Sequence, residues 1–196
     1  VNFASNNSKT LFMKKILLLA VVTVLGFTNV NAQEIKFGVK GGLNFATISG
    51  DNTKGIDVVT SFNFGVVSEI PISDKFSFQP ELMYSGQGYG FNDNTVALSY
   101  LNVPLMGKYY VTKGLSVEAG PQIGFLLAAK NEKTDVKDSF NTVDFGVNFG
   151  LGYKLENGLN FGVRYNLGLT DINNVDNSSF KNKNGVFQVS VGYFFF

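Results

Sequence analysis

The stretch LGYKLENGLNFGVRY, Leu151 to Tyr165, alternates two chemistries with a period of two. Leu151, Tyr153, Leu155, Leu159, Phe161, Val163 and Tyr165 are large and apolar, whereas Gly152, Lys154, Asn160, Gly162 and Arg164 are small or polar. Two strands joined by a tight turn give this pattern, and the fold is decided by which face meets water. Residues flanking an odd-length hairpin loop point to the same face. A three-residue Glu156-Asn157-Gly158 loop therefore pairs Leu155 with Leu159 and puts Gly158 where a left-handed conformation is wanted. A two-residue Asn-Gly turn would pair Glu156 with Leu159 and mix both chemistries on one face.

The same alternation divides the chain from residue 35 onward into eight stretches: Ile35–Ile48, Val58–Ile70, Phe76–Tyr89, Leu98–Val111, Leu115–Ala129, Thr142–Leu155, Leu159–Ile172 and Gly185–Phe196. Phe-Gly-Val recurs at Phe37, Phe64, Phe145 and Phe161 at irregular spacing, which reads as a shared strand requirement and not as a solenoid repeat. Short connections (Pro71–Lys75, Thr112–Gly114, Glu156–Gly158) alternate with long ones (Ser49–Asp57, Gly90–Ala97, Lys130–Asn141, Asn173–Asn184). Tight turns at one end and polar loops at the other predict an all-β fold: an eight-stranded antiparallel up-and-down transmembrane β-barrel.

The opposing reading is a soluble barrel with its apolar face inside, and three features weigh against it. The polar face is rich in glycine (Gly38, Gly42, Gly146, Gly150, Gly152, Gly162, Gly168), which weakens a solvated strand but makes room in a crowded lumen. The apolar face carries more large residues than a narrow eight-stranded interior can hold. Aromatic residues gather toward strand ends, at Tyr109, Tyr153, Tyr165, Phe187, Tyr193 and Phe195, as in interfacial girdles. Apolar side chains thus face lipid, and Lys154, Asn160 and Arg164 look inward. Pro80, Pro104 and Pro121 fall inside strands, and local bulges are expected there.

Ahead of the barrel, MKKILLLAVVTVLGFTNVNAQ has two lysines, an apolar run from Ile16 to Phe27 and Val30-Asn31-Ala32 before Gln33. This is the pattern of a cleavable signal peptide over 13–32, cut after Ala32, and its apolar run is too short for a spanning helix. Residues 1–12 read as an extension upstream of a start at Met13, and 33–196 as the barrel domain. Removing residues 1–32 takes away Lys9, Lys14 and Lys15, turning a formal net charge of +1 into −2. No basic patch points to nucleic acid.

The stretches FGVKGGLNFA at the first strand, YLNVPLMGKYY from Tyr100, VEAGPQIGFLL from Val117, DFGVNFGLGYKL from Asp144, FGVRYNLGLTDI from Phe161 and the final FQVSVGYFFF carry a family resemblance. The chain resembles the small outer-membrane β-barrel ("porin family", PorT-like, OmpA-like) proteins of Bacteroidota. The resemblance implies an integral outer-membrane location and insertion by the barrel-assembly machinery. Tyr193, Phe195 and Phe196 would be the assembly signal, with Phe196 one residue out of register. It supplies no catalytic residues.

With no Cys, His or Trp, the chain lacks thiol nucleophiles, imidazole bases and the usual zinc ligands, so no enzyme, cofactor or metal site is expected. Calcium at Asn92-Asp93-Asn94, or around Asp171 and Asp176, lacks the spacing of a calcium loop. The inward charges are Lys40, Glu69, Glu81, Lys108, Glu118, Asp144, Lys154 and Arg164. The tight turn at 112–114 sets Lys108 opposite Glu118, and the others extend that pair into an ion network filling the lumen. The expected role is membrane-anchored display of the loops, with lipid, lipopolysaccharide or an envelope protein as partner. A small-solute channel and a component of an envelope secretion machine are the alternatives.

Overall fold

A sheet facing hydrocarbon finds no hydrogen-bond partners there, so it must close on itself. The computed structural model describes residues 35–92, 94–174 and 180–195. The expected extension at 1–12, the signal peptide at 13–32 and Phe196 lie outside them. Strands run as β1 (Lys36–Gly50), β2 (Ile56–Asp57), β3 (Val59–Pro71), β4 (Phe76–Phe91), β5 (Asn94–Tyr110), β6 (Leu115–Asn131), β7 (Thr134–Asp135), β8 (Val143–Lys154), β9 (Leu159–Gly168) and β10 (Asn182–Phe195). Eight of them form the wall in the order β1-β3-β4-β5-β6-β8-β9-β10, and β10 returns to β1 through antiparallel pairs from Phe37↔Phe195 to Gly50↔Asn182. The short β2 and β7 prolong the wall beside β4 and β6.

The hairpin geometry follows from the turn residues. Leu155 N–H donates to the Leu159 carbonyl at 2.8 Å, and Val111 N–H to that of Leu115 at 2.9 Å. Gly158 and Gly114 take φ of +89° and +94°, where a side chain would be strained. The turn after β3 is tighter than expected: Ile72 N–H donates to the Phe76 carbonyl at 2.8 Å, leaving three residues in the loop instead of five. Parity is unchanged, so the facing is too.

Two further expectations are corrected. Most of the expected long loop at Gly90–Ala97 is strand, because β4 runs to Phe91, β5 starts at Asn94, and the two stay paired from Gly88↔Ala97 to Phe91↔Asn94. At 16, 17 and 17 residues, β4, β5 and β6 exceed the roughly 9–11 needed to cross a membrane, so they rise past it on the long-loop side. The prolines cause no register shift. Pro80, Pro104 and Pro121 keep the cross-strand partners Leu105, Gln122 and Val147, with interrupted ladder pairs beside them. The shift between β5 and β6 comes instead after Ser99, where Ser99 faces Ala128 and Tyr100 faces Leu126, leaving Leu127 as the extra residue.

The outward face is mostly apolar, with Phe37, Leu43, Phe64, Leu105, Phe149, Leu151 and Val189 among its exposed side chains, and aromatic residues at both ends. The inward face holds the buried charges and amides. Leu105, twelfth of the 17 residues of β5 and lipid-facing, tests this facing. A lysine there costs about 2–4 kcal/mol against lipid, so Leu105→Lys should refold poorly into bilayers while Leu105→Phe refolds like the parent chain. Heat-modifiable gel migration reads the folded fraction.

Candidate functional site in the barrel lumen

At the short-turn end, seven charged side chains from seven strands form an unbroken alternating chain. Lys154 contacts Glu69, Glu69 contacts Lys108 at 3.2 Å, and Lys108 contacts Glu118 at 3.4 Å. Glu118 meets Arg164 at 3.4 Å, Arg164 meets Glu81 at 2.7 Å, and Glu81 meets Lys40 at 3.4 Å. Arg164 grips Glu81 through both terminal nitrogens, a fork that matches a carboxylate in shape. Gln79 joins the chain by donating to Glu81 at 2.7 Å and accepting from Lys108 at 3.1 Å, and the Tyr110 hydroxyl donates to Glu69 at 2.8 Å. Lys108 and Glu118 are direct cross-strand partners on β5 and β6. Asp144, the eighth residue singled out from the sequence, stands apart from this chain.

Glycine makes the crowding feasible. A Cβ on Gly152 would strike the Glu118 carboxylate and Ser116 Oγ, and one on Gly150 would press on the Arg164 Cα and Cβ at 3.3 and 3.4 Å. At Gly150 the Val163 carbonyl of β9 comes closer still, at 2.6 Å, so β8 is bare at these points both for its neighbouring strand and for the long side chains that cross the lumen.

Above the ions lies a layer of carboxamides. Asn44 accepts from Asn63 at 2.6 Å and Gln188 at 3.0 Å and donates to Ser85 at 2.9 Å. Across the lumen Asn166 donates to Asn148, which donates to Gln122, both at 3.2 Å. Higher still, Asp144 accepts from Thr170 Oγ1 at 2.7 Å and from Asn184 Nδ2 at 2.8 Å. The long-loop end is closed by an apolar cluster of Ile48, Val96, Leu98, Tyr100, Leu126, Ala129, Phe140 and Ile172.

Two parts of this arrangement escape the sequence reading. Leu98 and Tyr100 share parity with Asn102 and Lys108, so register alone would have placed them inside. Phe194 likewise points inward and is buried, with Lys108 and Lys154 nitrogens 5.7 and 5.4 Å from its ring. Its neighbours Tyr193 and Phe195 face outward, and Phe196, the third residue of the expected assembly signal, is not among those described. Asp171 Oδ1 accepts from the backbone N–H of Asn173 and Asn182, which occupies it in loop structure; Asp93 and Asp176 lie outside the described residues.

A closed barrel with an apolar exterior and an ion-filled lumen agrees with the sequence comparison, in which residues 31–174 match the outer membrane protein beta-barrel domain. The chain belongs to this family. It is an integral outer-membrane β-barrel protein. Solved structures of other proteins share the architecture at low sequence identity. Neisserial surface protein A is similar with a TM-score of 0.58 at 13% identity, covering 83% of this chain and 100% of that one. Ail, the attachment invasion locus protein of Yersinia pestis, follows with a TM-score of 0.53 at 13% identity and the same coverage. No curated protein matches in sequence.

Glu118 joins two cations in the ion chain, so its loss leaves both short of a partner. Breaking a buried pair from one side costs roughly 3–5 kcal/mol, and Glu118→Ala should lower the unfolding temperature of the refolded barrel accordingly. Gly152→Ala, which pushes on the same carboxylate, should destabilise by about 1–3 kcal/mol. Thermal denaturation followed by circular dichroism measures both.

Proposed function

We propose that this protein is a non-catalytic, membrane-anchored display protein whose barrel is a plugged anchor and whose long-loop end carries the interaction surface. The filled lumen carries the reading: ions, carboxamides and an apolar cap succeed one another along the axis. The loops support it too, because they are tied into one body. Asn141 donates to the Asp171 and Asn173 carbonyls at 2.9 and 2.8 Å, Asn182 donates to the Asp51 carbonyl at 2.9 Å, and Asn174 donates to that of Asp138 at 3.0 Å. Residues 50–59, 131–143, 168–174 and 180–182 thus offer a preorganised surface, which lowers the ordering cost of binding.

Lipopolysaccharide and an envelope protein are the partners this reading assigns to that surface, with the barrel-assembly machinery acting during insertion. The stretches FGVKGGLNFA and YLNVPLMGKYY support a place among PorT-like barrels of Bacteroidota. Planar-bilayer recording of the refolded protein separates display from conduction. No discrete conductance steps are expected, and stable open steps from the parent chain would replace the display reading with that of a small-solute channel. Crosslinking in cells, followed by partner identification, tests the interaction surface. A partner held only through the short turns would favour membership of an envelope machine.

A further inference from the structure

Buried polar atoms without partners differ in kind between the two ends of the lumen. Near the ion chain the lumen holds donors, Arg164 Nε and Asn160 Nδ2; toward the long loops it holds acceptors, Gln87 Oε1, Asn102 Oδ1 and Asn184 Oδ1; the sixth atom, Ser68 Oγ, can do either and shares the strand face of Phe64 and Val66. Charge follows the same division. The ion chain holds four cations and three carboxylates, whereas Asp144, 8% exposed, forms no ion pair among the described residues. Its level on β8 is six residues from Gly150, the cross-strand partner of Arg164, or roughly 20 Å along the strand.

The surroundings of Asp144 are oxygen-rich. Asn102, Gly124 and Asp144 are successive cross-strand neighbours on β5, β6 and β8. Gly124 has no side chain, and where its Cβ would stand Asn102 Oδ1 lies only 2.7 Å away, with Cδ1 of the Tyr100 ring at 3.4 Å and the Asp144 carbonyl at 3.6 Å. The buried amide oxygen therefore leans over Gly124 into the space between its own strand and β8. From the other side, Thr170 and Asn184 each donate to a different carboxylate oxygen of Asp144, fixing its plane, and the Tyr100 hydroxyl accepts from Asn184 Nδ2 at 3.3 Å. Each carboxylate oxygen keeps a further lone pair, because an ionised carboxylate offers about four acceptor sites. A buried anion lacking a counter-charge, beside an amide oxygen lacking a donor, is costly unless a cation occupies the gap.

We propose that Asp144 and Asn102 bind one monovalent alkali cation at the upper end of the lumen, over the gap left by Gly124, with water completing its coordination. A divalent ion is less suited to this site. Calcium sites gather several carboxylates, and no group of three His, Cys, Asp or Glu side chains able to hold a metal occurs among the described residues. The bound charge makes the upper lumen neutral without opening a path through the ion chain, so the site stands whether or not the loops display a partner.

The experiment is thermal unfolding of the refolded full-length barrel in detergent at neutral pH and fixed chloride concentration, with sodium, potassium or N-methyl-D-glucamine as the sole cation. Binding to the folded state alone should raise the unfolding temperature in at least one alkali salt by about 3 °C or more over the organic cation. Asp144→Asn and Asn102→Ala should each remove that difference, while Glu118→Gln, in the ion chain, should retain it. Should Asp144→Asn not refold, Asn102→Ala carries the comparison. Equal unfolding temperatures in all three salts would mean that Asp144 is neutralised by a proton, and would overturn the proposal. An alkali response persisting in either Asp144→Asn or Asn102→Ala would also overturn it. Stabilisation by millimolar calcium in place of alkali ions would overturn the assignment of the ion.

Discussion

Hydrocarbon solvates neither a backbone amide nor a charged side chain, and that asymmetry orders the whole molecule. Across the membrane each strand turns most of its apolar residues outward, so polar groups on the other face must find partners within a lumen only a few side chains wide. The alternating series Lys154, Glu69, Lys108, Glu118, Arg164, Glu81, Lys40 is one solution to this confinement. Each carboxylate lies between two cations, and each inner cation between two carboxylates, so attraction to both neighbours offsets the loss of water. A lone buried pair would gain from one neighbour only.

The two ends of the lumen meet that requirement differently. Near the short turns long charged side chains interlock across glycine-lined strands, and Phe194 and Tyr110 turn their rings to the lysines. Near the long loops the strands outlast the membrane and water is close, so an ordinary apolar cluster beneath the loops becomes feasible. Carboxamides occupy the transition. They donate and accept at once and can be chained without adding net charge.

The facing of the wall was legible because a strand has an integral period, and three short turns each preserve parity. Strand number and closure follow from the same count. The lumen was legible only as far as one tight turn reaches. Lys108 and Glu118 can be paired because residues 111–115 fix their register, but Arg164 and Glu81 lie on strands separated by long loops whose lengths set no parity. The inward apolar residues were hidden by the assumption that apolar means outward. Leu98, Tyr100 and Phe194 obey the register and break that assumption, and the extra residue at Leu127 reverses parity in β6 without any proline or glycine to announce it. The interrupted pairing beside Pro104 shows why the expected bulges are missing: a strand can leave out a ladder bond and keep its count.

The ion chain takes its members from every wall strand except β10, which contributes the Phe194 ring beside it. Its contacts join positions as far apart in the chain as Lys154 and Glu69, or Arg164 and Glu81, 85 and 83 residues distant. No partial barrel can assemble it, since the earliest strands wait for the latest ones. The most distant of these contacts close long stretches of chain, so the entropy of bringing their strands together must be lost before the contacts can repay it.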